Sequence, residues 1–268
     1  VEQLEAEFGV PLLMRTRAGS VPTDAGALLA RRGQELLQDE AAVVAAVREV
    51  GDEPQGELQV VVPVGMAPPL IAILFVSMRE RYPKVVVRIR TAEDPLAALD
   101  SGVDVAVCFD DREPGGRWVS MEVARVRRML VAAPAYLEQH GTPQTLDDLR
   151  ACTLLAWTPP RRPANVWPLV GGGEVEVSLV MESPDIHLIR QVAGHGLGIA
   201  LTPEGGLPAM GLPAMGMPLV PVATHLVGDA VPTRIVVPAA LEGRARIRAL
   251  LGIVRELLPT FDPDYVTR

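Results

Sequence analysis

The chain has 268 residues, 49% of them hydrophobic and 22% charged, and a formal net charge of -8. That composition excludes a disordered chain, and the acidic balance excludes a broad nucleic-acid surface, so any contact with DNA must be local. Two cysteines, Cys108 and Cys152, are too few for a secreted disulfide framework and fit a reducing cytoplasm.

The chain opens at Val1 in the middle of an element, with no basic and apolar leader, so no secretory signal is read. Residues 4–26, "LEAEFGVPLLMRTRAGSVPTDAG", predict a short helix, a Gly-Val-Pro break, an arginine-bearing loop and then the start of a long helix at Thr23. Thr23 with Asp24 behind it supplies a helix cap and an acidic first turn. Residues 23–50 hold no proline, and Leu29, Leu36, Val43 and Val50 recur every seven residues, with Leu28, Leu37, Val44 and Val47 widening the stripe. Such a helix packs either on its own core or on the same helix of a second copy; the charged opposite face favours the second arrangement.

"GDEPQGE" at 51–57 reads as a hinge, and the periodicity then changes. Continuous apolar runs at "LQVVVP", "KVVVRIR" and "VDVAVCF" alternate with helical stretches around 71–81 and 96–101, which predicts parallel strands covered on both faces. The longest apolar run, "MAPPLIAILFVSM" from Met66, contains two prolines and is too short for a bilayer, and it is read as a buried helix. A second α/β set follows "RRMLVAAP": strands "TLLAW" and "EVEVSLV" around a Pro/Arg loop, a helix over 185–193, the strand "LGIALTP", then "TRIVVP" and a helix over about 242–258. Two such halves joined by crossing strands leave a cleft at the carboxyl ends of their strands, where small ligands sit. The repeat "GLPAMGLPAMGMP" at 206–218 is read as an exposed loop, with a functional lid as the lesser reading.

Motifs for other chemistry are weak. The glycines of "AGHGLGIALTP" follow a helix and precede a strand, the reverse of a phosphate-cradling loop, so they are read as a helix terminator and a close approach. His140, His187, His195 and His225 lack a metal-ligand spacing; His187, near the start of a helix facing the cleft, either contacts a ligand or is an exposed helix histidine, the latter favoured. No nucleophile elbow or carboxylate pair stands out, so the expectation is no enzyme, no metal and no cofactor. Cys108 and Cys152 are read as buried, inert thiols. Arg161 and Arg162 either overlook the cleft and hold an acidic ligand or are solvated loop residues, the latter slightly favoured.

The amino-terminal stretch resembles the end of the winged helix-turn-helix of the LysR-type transcriptional regulators, of the form LE-x-x-LG-x-x-LF-x-R, a wing, then LT-x-AG. Leu4, Glu5, Phe8, Gly9, Leu12, Leu13, Arg15, Thr23, Ala25 and Gly26 stand in that pattern, with Phe8, Leu13 and Pro22 as departures. "YPKVVVRI", "DSGVDVAV", "APAYLEQHGTPQTLDDL" and "QVAGHGLGIALTP" resemble the effector-domain signatures of the same family in order and spacing. The resemblance implies an α/β protein with the tail of a winged helix-turn-helix (1–22), a linker and dimerisation helix (23–50), a hinge (51–57) and a two-lobed effector domain like the type II periplasmic binding proteins (58–268). Lobe I would span about 58–132 and 230–268, and lobe II about 133–229.

What the resemblance implies for function is a cytoplasmic, homodimeric or tetrameric regulator with no membrane contact. It would bind a double-stranded DNA operator and change that binding when a small effector enters the cleft. Arg15 and Arg17 in the wing would hold DNA; because the base-reading residues of the motif would precede Val1, the chain as given is expected to bind its operator poorly. The effector would touch Val64, Gly65 and Met66, then Ala92 and Glu93, then Trp157, Thr158 and Asn165, with Phe109 adding an apolar wall. Relatives often carry Ser or Thr at the position of Gly65 or Met66 to hold a carboxylate, and this chain has neither. Either backbone amides at that helix start hold an anion alone, or the effector is less acidic and more apolar. A solute-binding protein of the same two-lobed fold, without DNA binding, is the alternative.

Overall fold

The computed structural model describes residues 1–16, 19–48, 53–66, 68–109, 115, 117–204 and 218–261. Helix α1 (Glu2–Phe8) stops at Gly9, whose φ of 68° is the left-handed turn that glycine adopts without strain. Strands β1 (Leu13–Thr16) and β2 (Gly19–Pro22) pair as an antiparallel hairpin. Helix α2 (Asp24–Arg48) follows at once, with Thr23 Oγ1 accepting from Gly26 N at 3.0 Å and donating to Pro11 O at 2.7 Å. One hydroxyl therefore caps the helix and pins it to the chain before the hairpin. Gly26 permits this approach: a Cβ there would lie 1.9 Å from Leu12 O.

Leu28, Leu36, Leu37, Val43, Val44 and Val47 of α2 are exposed, so the apolar stripe read from the sequence does not fold into the subunit's own core. The helix passes beside the 3-10 turn at Ala239–Leu241. Val50, the last member of the heptad series, lies outside the described residues, as do the first two positions of the expected hinge.

Strand β3 begins at Gly56, two residues earlier than its apolar run, because Gly56 and Glu57 extend the parallel ladder opposite Val85 and Val86. With α3 (Pro68–Arg81), β4 (Val85–Ala92), α4 (Pro95–Ala98) and β5 (Val105–Phe109) it builds a parallel unit in the order β5-β3-β4. The expected buried helix is only half-buried. Ile71, Leu74, Phe75 and Met78 form an i, i+3, i+4, i+7 stripe against the sheet, whereas Val76 on the other side is exposed. β4 is an edge strand with Val86 and Ile89 exposed, so the expectation of two covered faces fails there.

The long strands β6 (Trp118–Ala132) and β13 (Gly228–Pro238) run antiparallel through the middle of one continuous sheet, ordered β10-β7-β11-β6-β13-β5-β3-β4. Beyond β6 come α5 (Pro134–His140), α6 (Leu146–Arg150) and β7 (Leu154–Trp157), then β8 (Val166–Pro168), β9 (Glu174–Glu176) and β10 (Met181–Ser183). Helix α7 (Ile186–Gly194), β11 (Ile199–Pro203) and β12 (Val220–Val222) complete that half, and α8 (Ala245–Phe261) ends the described chain. β7, β10 and β11 are mutually parallel, and β11 and β12 each pair antiparallel with β6.

"EVEVSLV" is not one strand. Val175 and Val177 bury into the second core while Glu174 and Glu176 face out, and β9 pairs only with β8 before the chain crosses to β7 as β10. Of the glycines at 194, 196 and 198, Gly194 ends α7, Gly196 alone has a positive φ, 81°, and Gly198 gives the close approach: a Cβ there would meet Thr153 O at 2.3 Å. The thiols differ from the expectation in one case: Cys108 is buried, but Cys152 is half-buried. The repeat at 206–218 lies almost wholly outside the described residues.

Two main cores result. The first gathers Leu58, Val60, Val105, Ile235, Val237 and residues of α8, and the second gathers Leu130, Leu149, Leu154, Trp167, Ile199 and Leu201. Strand β6 contributes to both sides, since Met121 and Val123 pack on the first core and Leu130 and Ala132 lie in the second. Among the described residues no helix is long and apolar enough to cross a membrane.

Candidate functional site

The carboxyl ends of β5 and β7 face one another across the two halves. Phe109, the last residue of β5, meets Trp157, the last of β7, edge to face, with ring centroids 5.9 Å apart and planes at 90°. Trp157 is 4% exposed and donates from Nε1 to Pro184 O at 3.1 Å, which fixes its ring.

Behind this pair run the crossing strands, where Arg128 of β6 stands in register with Asp229 of β13. Arg128 Nε donates to Asp229 Oδ1 at 2.7 Å and Nη2 donates to Oδ2, a bidentate ion pair. Arg128 is only 6% exposed, so its charge depends on this partner. These four residues, with Pro159, Pro160 and Arg162 from the loop after β7 and Ala230 and Val231 of β13, enclose a cavity of about 50 Å³. That is room for a few waters or a very small molecule; a larger guest requires the halves to part.

Two further contacts hold the halves together. Gly65, in the turn after β3, has φ 78° and is so close to α7 that a Cβ on it would lie 2.6 Å from Ile186 N. Asp185 Oδ1 accepts from His187 N at 2.9 Å and Leu188 N at 3.3 Å, which caps the same end of α7. His187 is half-buried and its Nε2 is buried without a hydrogen-bond partner, which departs from the exposed position expected of it. Farther along the rim, Arg161 Nε lies 3.2 Å from Asp94 Oδ2, an ion pair between the loop after β7 and the N-cap residue of α4. Arg161 adopts φ 59°, a left-handed conformation that costs a non-glycine residue about 1–3 kcal/mol.

The amino-terminal hairpin is tied down by Glu5. Its Oε1 accepts from Leu12 N at 2.6 Å and Leu13 N at 3.0 Å, and these two bonds hold the carboxyl below the usual carboxylate range. Arg15 on β1 is exposed, whereas Arg17 lies outside the described residues.

A family model described as LysR substrate binding domain matches residues 51–259. The chain belongs to the LysR family. It is 31% identical over 203 residues to the HTH-type transcriptional regulator CrgA of Neisseria meningitidis serogroup C (strain 8013), covering 75% of this chain and 67% of that protein. It is 28% identical over 202 residues to the HTH-type transcriptional regulator DmlR of Escherichia coli (strain K12), covering 74% and 65%. Among solved structures, CrgA from Neisseria meningitidis superposes with a TM-score of 0.65 at 27% identity, over 96% of this chain and 87% of that one. The Vibrio cholerae virulence activator AphB gives 0.61 at 20% identity, over 95% and 87%, which speaks to the fold alone.

Set against the site residues implied by the LysR resemblance, the structure brings only Phe109 and Trp157 to the cavity wall. Val64 N donates to Ala92 O at 3.1 Å, so the turns after β3 and β4 do adjoin. Met66, however, packs on the first core and Ala92 on the cluster around Leu99, while Glu93 is exposed. Thr158 N donates to Ser183 O at 2.9 Å beside Trp157. Asn165 belongs to the β8–β9 hairpin, with Nδ2 donating to Glu176 Oε1 at 3.1 Å, and does not line the cavity. Sequence reading missed Arg128, Asp229 and Val231. The second arginine of "RRMLVAAP", next to an apolar run, was the available signal, but its partner is 101 residues away and only strand register joins them. Arg162 does line the cavity, whereas Arg161 serves the rim.

Proposed function

We propose that this chain is a DNA-binding transcriptional regulator that senses a small molecule between its two α/β halves and changes operator binding in response. The observation that carries the reading is the cavity itself. It lies where the ends of β5 and β7 oppose one another across crossing strands, so a guest there touches both halves and favours one of their arrangements over another. The relatives' names, which are those of HTH-type transcriptional regulators, support the same reading.

The wing hairpin with Arg15 supplies a local phosphate contact on an otherwise acidic molecule. The exposed stripe of α2 pairs two copies, and dimers pair further into tetramers. Leu36→Glu with Val43→Glu therefore converts the protein to monomers in sedimentation; unchanged association would refute the helix as the interface. The solute-binding alternative has no use for such a helix. Operator affinity by anisotropy, with and without effector, tests the whole reading: equal affinities would sink it.

A further inference from the structure

We infer that the cleft is built for a small, uncharged compound with a flat apolar body and a carbonyl oxygen, not for a carboxylate. This rests on the reading of the cleft as the effector site and specifies its ligand class. Asp229 takes Nε and Nη2 of Arg128, and Nη1 has no hydrogen-bond partner among the described residues. On a side chain that lines the cavity this donor is open to water, so a guest that displaces the water must supply an acceptor in its place.

The charge of that acceptor follows from Asp229. The guanidinium is already neutralised, so a carboxylate bound to Nη1 would stand within a few ångströms of the Asp229 carboxylate in a poorly solvated place. A carbonyl oxygen accepts the same bond without that repulsion. Arg162 also lines the cavity, but its side chain is exposed, and solvent screens its attraction for an anion.

Among the described residues, the backbone amides after β3 offer no other anion seat. The turn at Gly65 is pressed against Ile186 N, and Met66 N donates to Pro63 O at 3.2 Å. Phe109, Trp157, Pro159, Pro160 and Val231 supply apolar walls for the body.

The test is calorimetric titration near neutral pH with matched pairs sharing one carbon skeleton: benzamide against benzoate, and crotonamide against crotonate. The amide of each pair should bind about tenfold or more tightly. Asp229→Asn, which uncovers the Arg128 charge, should reverse the order in favour of the acid. If that variant does not fold, the wild-type order decides, and Arg128→Met with Asp229→Leu should weaken the amides about tenfold. Equal or tighter binding of the acids overturns the inference, as does binding of neither member at roughly 10 mM. An acid preference leaves the regulator reading standing, since operator binding is measured separately; loss of that binding alone overturns the regulator reading.

Discussion

Gly65→Ala probes the contact between the halves most directly. At φ 78° an alanine carries the left-handed penalty, about 1–2 kcal/mol. Its Cβ would also lie 2.6 Å from Ile186 N and 3.3 Å from Ile186 Cβ. Restoring ordinary contact at about 3.4 Å needs roughly 0.8 Å of movement. Backbone at a capped helix start does not yield as a flexible side-chain end does, so the halves must separate at this corner or stay overpacked, at about 1–3 kcal/mol. Gly196→Ala is the matched control, since φ there is 81° with nothing within 4 Å of the added carbon. Urea unfolding should show Gly65→Ala more destabilising than the control by about 1–3 kcal/mol. If the halves relax by opening, that excess shrinks and the radius of gyration in X-ray scattering rises instead. Equal stability together with an unchanged radius would refute the contact.

Trp157→Ala removes a side chain 4% exposed and should cost about 3–5 kcal/mol in thermal or urea unfolding, with Trp157→Phe costing much less. A double-mutant cycle on Arg161 and Asp94 should give about 0.2–1 kcal/mol, because the arginine is largely solvated, and the coupling should shrink as salt is added. Glu5 gives a pH signature at the hairpin. Its folded carboxyl is held low, so its contribution is present above the unfolded value and is lost as pH falls through the folded one. The protection factors of the Leu12 and Leu13 amides, taken against their intrinsic exchange rates, should fall on that acid limb, and Glu5→Gln should abolish that fall. Burial pushes the Cys152 thiol up, so alkylation near neutral pH should be slow until the protein unfolds.

Much was legible from residue order alone. Periodicity marked α2 and the apolar strands because burial on one face repeats with the element's own geometry. Thr23 with Asp24 announced the start of the long helix, since capping is a local demand that few residue types satisfy, whereas the close approach at Gly26 emerged only from the fold. Glu5, visible only as a motif position, proved to be the acceptor that ties down the hairpin. Three readings failed for one reason, that burial is a property of neighbours. "MAPPLIAILFVSM" looked wholly buried but packs one face, β4 lost its outer cover at the sheet edge, and "EVEVSLV" keeps only Glu174–Glu176 as a strand, paired with β8 away from the main sheet.

The cavity belongs to the tertiary structure. Phe109 and Trp157 were anticipated through the family resemblance, and the structure brings their rings together at the ends of β5 and β7. Arg128 and Asp229 could not be anticipated, because their meeting depends on the register of two long antiparallel strands, and a shift of one residue would point each to the opposite face. Local sequence thus determined which helices and strands form and where glycine is required. Long-range pairing alone decided which charges neutralise one another in the cleft.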